Sequence, residues 1–137
     1  MAELTELEQV LPQEIEKRSF EIITQELGDR VLDEKQAPVI KRVIHTTADF
    51  DYADNLVFSP NVMELAWQAI REGAPIITDT NMGKSGINKK RLANYGSEVY
   101  CFMADEDVAE EARKHGTTRA CASMDKAARL GLNGIFA

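Results

Sequence analysis

The chain has 137 residues, 44% hydrophobic and 28% charged, with a formal net charge of −7. That size and mix suit one globular core and a single domain, and the acidic balance excludes nucleic acid as a general partner, because phosphate binding needs a basic face. No window approaches the run of roughly 18 apolar residues that a membrane span needs, and the start, MAELTELEQ, is acidic where a secretory leader would be basic and then apolar, so a cytoplasmic protein is expected.

Leu4, Leu7 and Leu11 have the spacing of a short first helix. Pro12 then opens a longer one: Ile15, Ser19, Ile22 and Ile23 fall at i, i+4, i+7 and i+8, and Gly28 closes the run. Pro38 precedes a second stripe, Val39, Ile40, Val43, Ile44 and Thr47, which places His45 near a helix C-terminus and off the apolar face. A helix C-terminus favours a protonated imidazole, and Thr46, Thr47, Asp49 and Asp51 surround this one. Histidine is the side chain whose ordinary pKa lies nearest neutrality, so His45 is a candidate acid.

From this point the pattern alternates between strand and helix. Leu56-Val57-Phe58 reads as a first strand closed by a Ser59-Pro60 cap, and Val62, Met63, Ala66, Trp67 and Ile70 as a helix ending at Gly73. Strands are expected at 75–79, 98–103 and 134–137, with helices at 86–95, 105–114 and 120–130. Alternation of this kind implies a mostly parallel α/β sheet with its ligand at the carboxyl ends of the strands, here Ser59, Asp79-Thr80-Asn81 and Met103-Ala104. The chain stops within an apolar strand, as though a following segment were missing. Cys101 and Cys121 have neither CxxC spacing nor a nearby histidine, so no zinc site or disulfide is expected. Asp105, Glu106 and Asp107 read as helix-start charges rather than metal ligands.

The segments IEKRSFEII (15–23), PVIKRVIHTTADFDYADNLVFSPN (38–61), ITDTNMGKSGINK (77–89), EVYCFMADEDVA (98–109) and TRACAS (118–123) resemble the precorrin-8X methylmutase family of cobalamin biosynthesis. The resemblance implies a three-layer α/β/α flavodoxin-like domain preceded by N-terminal helices, homodimeric, with the family's last strand and helix absent here. It also implies an isomerase that moves a methyl group from C11 to C12 of precorrin-8X or cobalt-precorrin-8. A shift within one conjugated macrocycle exchanges no electrons, so no cofactor and no protein-bound metal are expected. The resemblance makes His45 the proton donor to the tetrapyrrole, a role worth about 10²–10⁴-fold in rate. On spacing alone it reads as a helix-end histidine. His115, after Arg113-Lys114 and before Gly116, reads as a solvent-exposed last turn.

A substrate with several carboxylates also needs cations, hydroxyls and backbone N–H groups. The acid-free stretch from Thr80 to Ser97 offers Thr80, Asn81, Met82 and Lys84 at a strand end, with Lys89, Lys90 and Arg91 beyond on an expected solvated face. The family motif adds Arg18 and Ser19 in RSF, Thr47, Tyr52 and Asn55 around the histidine block, and Arg119 with Ser123 one turn later. Two other readings compete: a non-catalytic corrinoid-binding module, and a generic flavodoxin-like phosphate or flavin binder or receiver domain. A receiver would need acids after its first strand, where this chain has Phe58-Ser59-Pro60.

Overall fold

The computed structural model describes residues 10–137. The expected helix through Leu4 and Leu7 lies outside them; Leu11, the last member of that stripe, is exposed just before a 3-10 turn at Pro12–Glu14. The chain divides into two compact units, one ending at Pro60 and the other running from Asn61 to Ala137.

The first unit is helical. Helix α1 (Ile15–Leu27) and helix α2 (Ala37–Thr47) pack against each other, and a single turn, α3 (Tyr52–Asn55), packs on α2. Ile23 and Leu27 from α1 meet Ile40 and Ile44 from α2, with Leu32, Phe50, Leu56 and Phe58 around them. Full burial of an isoleucine such as Ile44 contributes roughly 1.5–3 kcal/mol, so these four residues hold the pair together. The expected strand at Leu56–Phe58 does not form. Its backbone is extended, and its side chains alternate as in a strand: Leu56 and Phe58 lie on the core while Val57 is 93% exposed. No neighbouring strand lies alongside it among the described residues, and alternation without a ladder is only a packed loop.

The second unit holds the sheet, a mixed α/β arrangement with parallel strands as expected. Helix α4 (Val62–Arg71) leads to β1 (Ile76–Ile77), two short helices α5 (Asn81–Gly86) and α6 (Lys89–Ala93), β2 (Val99–Tyr100), α7 (Glu106–His115), α8 (Arg119–Arg129) and β3 (Ile135–Phe136). The strand order is β2-β1-β3, with Ile76 opposite Val99 and Ile135. The ladder outlasts these short strands. Ile76 and Thr78 donate to the carbonyls of Glu98 and Tyr100, Ile135 donates to Pro75 and Ala137 to Ile77, and Asp79 donates to Ala137 at 2.9 Å. Ile76 and Ile77, neighbours that point to opposite faces, are both buried, as a central parallel strand requires. Gly134 makes this pairing possible: a Cβ there would stand 2.0 Å from the Pro75 carbonyl oxygen, far inside contact distance.

Two expectations in this unit change. The helix expected over 86–95 is the shorter α6, and α5, which was not expected, precedes it across Ile87-Asn88; each has a side-chain cap: Thr80 Oγ1 accepts from Gly83 N–H and Asn88 Oδ1 from Arg91 N–H. Ser59-Pro60 does not cap α4; Asn61 stands at its N-cap in the left-handed region, φ 58°, with no side-chain cap bond.

Candidate functional site

In the first unit, α1 and α2 bring Ser19 and His45 together across 26 positions of sequence: Ser19 Oγ lies 2.7 Å from His45 Nδ1. The two helices pack through Ile23, Leu27, Ile40 and Ile44, and the pair sits beside that contact, Ser19 one turn before Ile23 and His45 directly after Ile44. The imidazole also stacks on Phe20, centroids 5.4 Å apart and planes 22° from parallel. An aromatic ring in offset contact limits the tilt of its neighbour, so the imidazole is held at one nitrogen and on one face. Among the described residues Nε2 has no hydrogen-bond partner.

His45 and Ser19 open on a groove of about 480 Å³, walled by Val10, Ile15, Ile22, Ile23, Ile44, Ala48 and Phe50 and carrying Arg18 and Glu26 as its charged members. Ile15 and Ile22, expected on the core stripe, are instead exposed along this wall. The apolar face of α1 is thus divided between core and groove. Arg18 makes a 3.5 Å ion pair with Glu21 on the same helix. At the C-terminus of α2, Ala48 takes the left-handed conformation, φ 57°, and its N–H donates to Ile44 O at 2.7 Å. Glycine is usual there. The reversal carries the chain to Phe50, which lies against both the core and the groove.

A second contact ties the same helices. Arg42 Nη2 donates to Glu16 Oε1, and the Arg42 guanidinium carbon stands 4.8 Å from the Phe20 ring centroid. Arg42, by hydrogen bond and by charge, holds the Glu16 carboxyl below the usual carboxylate range, and His45 adds in the same direction.

The groove therefore unites three of the expected residues, Arg18, Ser19 and His45, and leaves out three others. Thr47 Oγ1 donates to the Val43 carbonyl and accepts from Asp49 N–H, Tyr52 packs on the core, and Asn55 is exposed at the end of α3. In the second unit, Thr80, Asn81, Met82 and Lys84 share one turn at the carboxyl end of β1. Thr80 caps that turn, the Asn81 carbonyl accepts from Ser85, Met82 is 85% exposed, and Lys84 is half-buried. Arg119 is exposed at the first position of α8, which Thr118 caps through Cys121 N–H. Ser123 is buried, and its hydroxyl donates to the Ala120 carbonyl at 2.8 Å.

Asp105 stands at the N-cap of α7 but makes no side-chain cap bond, which corrects part of the helix-start reading; it pairs with Lys126 at 2.7 Å, as does Asp107 at 2.8 Å. His115 lies 3.2 Å from Glu111 in an exposed last turn, as expected. Val10, Glu26, Ala48, Phe50, Phe20 and Arg42 were not anticipated. Only Glu16/Phe20 at i, i+4 and Arg42/His45 at i, i+3 carried a readable signal for the last two.

The model of the precorrin-8X methylmutase family matches residues 14–137. The cobalt-precorrin-8 methylmutase of Priestia megaterium is 42% identical over 128 residues, 93% of this chain and 57% of that protein. That of Methanocaldococcus jannaschii is 45% identical over 115 residues, 82% of this chain and 51% of that protein. A crystal structure of precorrin-8X methylmutase from Thermus thermophilus superposes with a TM-score of 0.76 at 39% identity, over 88% of this chain and 57% of that one. The chain thus spans just over half the length of these relatives.

Proposed function

This chain belongs to the precorrin-8X methylmutase family, and on that premise we propose that it acts in the isomerisation of precorrin-8X or its cobalt form, with His45 as the proton donor. The observation that carries the reading is the 2.7 Å contact between Ser19 Oγ and His45 Nδ1 at the wall of an apolar groove. When the imidazole is charged, both its nitrogens are donors. Ser19 accepts from Nδ1–H, and Nε2–H is left to point at a substrate nitrogen.

Donation from Nε2 leaves the Nδ1–H tautomer, which the same hydroxyl continues to hold. In the macrocycle, a proton or strong hydrogen bond on a ring nitrogen draws electron density from the neighbouring carbon. The methyl group leaves C11 as its bond to C12 forms, the displaced electrons stay within the conjugated system, and the proton returns to Nε2. Nothing is consumed. The apolar wall of Ile15, Ile22 and Phe50 suits the flat ring, while Arg18 on the same groove suits a peripheral carboxylate. The family resemblance carries over Lys84 and Arg119, in the second unit, as further candidates for binding carboxylates, and the whole chain as a single domain. The family resemblance also carries a homodimer and a cytoplasmic setting into this proposal.

Incubation of the chain with precorrin-8X, followed by the absorption change of the macrocycle, tests it. Conversion by the parent chain, lost in His45→Ala with ligand binding retained, is the expected result. Full turnover by His45→Ala would remove the imidazole from the reaction, and binding by the parent chain without conversion would make it a corrinoid-binding module.

A further inference from the structure

The scheme above leaves three side chains of the same two helices unused. Glu16 and Phe20 lie one turn apart on α1, and Arg42 lies one turn before His45 on α2. They form a connected row: Glu16 accepts from Arg42 at 2.5 Å, the Arg42 guanidinium covers the Phe20 ring at 4.8 Å, and that ring stacks on the imidazole at 5.4 Å. We infer that Phe20, Arg42 and Glu16 are positioning residues for His45, in which Arg42 pins the Phe20 ring, the ring sets the imidazole plane, and Glu16 cancels the charge of Arg42. The inference rests on the proton-donor reading of His45 and adds to it the groups that aim the proton.

An imidazole tethered at Nδ1 alone can still swing about that hydrogen bond, and Nε2, on the far side of the ring, sweeps the widest arc. A second constraint perpendicular to the first removes this motion, and a flat aromatic surface supplies one. Phe20 is itself only half-buried and sits on a helix surface, so it too needs holding. A guanidinium over its face does this by cation–π attraction. The device carries a hazard: a bare cation this close would oppose the charged imidazole that proton donation requires. The carboxylate of Glu16, which accepts from Arg42, offsets it. Among the described residues, the other charged groups lining the groove beside His45, Arg18 and Glu26, are themselves of opposite sign.

A purely structural role, a clamp between two helices, makes a different forecast. The chain has two histidines, so nuclear magnetic resonance of its imidazoles reads His45 directly, with His115, exposed on α7 and paired to Glu111, as internal control. In the parent chain the ring protons of His45 carry the ring-current displacement of a stacked imidazole. Phe20→Leu should abolish it, Arg42→Gln and Glu16→Gln should each reduce it, and Arg42→Lys should restore most of it, with the His115 signals unmoved throughout. Because Glu16 and Arg42 are exposed, the variants at these two positions should retain the fold. His45 signals unchanged in both Arg42→Gln and Glu16→Gln would overturn the inference and leave a helix clamp. In the turnover assay Arg42→Gln should lower kcat by about tenfold with KM nearly constant, and a change in KM alone would overturn it equally. Absence of turnover in the parent chain would count against the proposed reaction and leave the resonance experiment decisive for positioning.

Discussion

Ser19 in the first unit and the buried hydroxyls of the second find different kinds of partner. In the second, every buried hydroxyl is committed to the backbone: Thr78 donates to Thr80 O, Ser97 to Ala74 O and Ser123 to Ala120 O, at 2.9, 2.6 and 2.8 Å. These bonds close turns around a sheet whose strands are too short to hold themselves. In the first unit, the part-buried Ser19 meets a titratable side chain instead, while the more exposed Thr24, Thr46 and Thr47 donate to carbonyls of their own helices. A hydroxyl withdrawn from water, wholly or in part, needs a partner in either case. The choice of partner separates a scaffold from a site, and it shows which polar residues near the sheet are poor candidates for binding: Ser123 is already satisfied, whereas Lys84 and Arg119 present charge at element ends.

The sharpest way to break the scaffold side of this contrast is Gly134→Ala. The added methyl would meet the Pro75 carbonyl at 2.0 Å, and that contact is backbone, which cannot rotate away. β3 must move off β1, losing the bonds from Ile135 to Pro75 and from Ala137 to Ile77. We expect a loss of about 3 kcal/mol, read as a lowered denaturation midpoint; wild-type stability would mean that the β1–β3 register is wrong.

What could be read in advance follows the same division. Helices α1 and α2 of the first unit were legible, α2 because it shows a complete stripe, Val39 to Thr47, after Pro38, and His45 was accordingly found in its last turn; the single turn α3 was not expected. The groove was not. Periodicity reports that Ile15 and Ile22 share an apolar face but cannot tell a face against core from one against a ligand. Leu56–Phe58 failed for a related reason, since alternation states which side chains are buried and says nothing about whether a second backbone lies alongside. The parallel sheet was recognisable from three apolar runs between helices, and the pairing of β1 with β3 follows from no local signal except Gly134. Helix α5 escaped notice because NMGKSG is poor in helix formers. It depends on Thr80 as its cap, the residue expected to contact substrate. Family resemblance supplied the chemistry of His45, while its contact with Ser19 appeared only when two helices 26 positions apart were packed.

On the site side, Ser19→Ala is a smaller and more informative change. The variant loses a part-buried hydrogen bond worth about 1 kcal/mol, and alanine returns about 0.5 kcal/mol of helix propensity. Net stability should fall by only about 0.5 kcal/mol, close to the resolution of a denaturation curve. His45, by contrast, loses its tether at Nδ1. Turnover should drop by about tenfold or more while the midpoint hardly moves. Equal, proportionate losses in stability and turnover would place Ser19 with the scaffold hydroxyls and erase the distinction.

The mildest expected effect concerns the charges of the second unit. Lys126 on α8 reaches Asp105 and Asp107 at the start of α7, with Phe102 under its ammonium at 5.3 Å, so one lysine joins two helices and the loop that follows β2. Its partners, Asp105 first and then Asp107, raise the Lys126 titration above the ordinary lysine range, and Lys126 in turn lowers that of Asp107. The signs give both limits of the contribution. For Asp107, whose folded value is depressed, the stabilisation is present above the ordinary aspartate range and is lost as pH falls through the folded value. For Lys126, whose folded value is raised, it is present below the ordinary lysine range and is lost as pH rises through the folded value. Lys126→Met keeps the contact with Phe102 and removes the charge, so the stability profile of the variant should flatten at its acid and alkaline ends and differ little from the parent at extreme pH. Because these groups are in contact with solvent, the difference at neutral pH should shrink as salt is added. A gap that stayed constant across pH and salt would mean that Lys126 acts through packing on Phe102 alone, and α7 and α8 would then be held by Val108, Ala112 and Ala122.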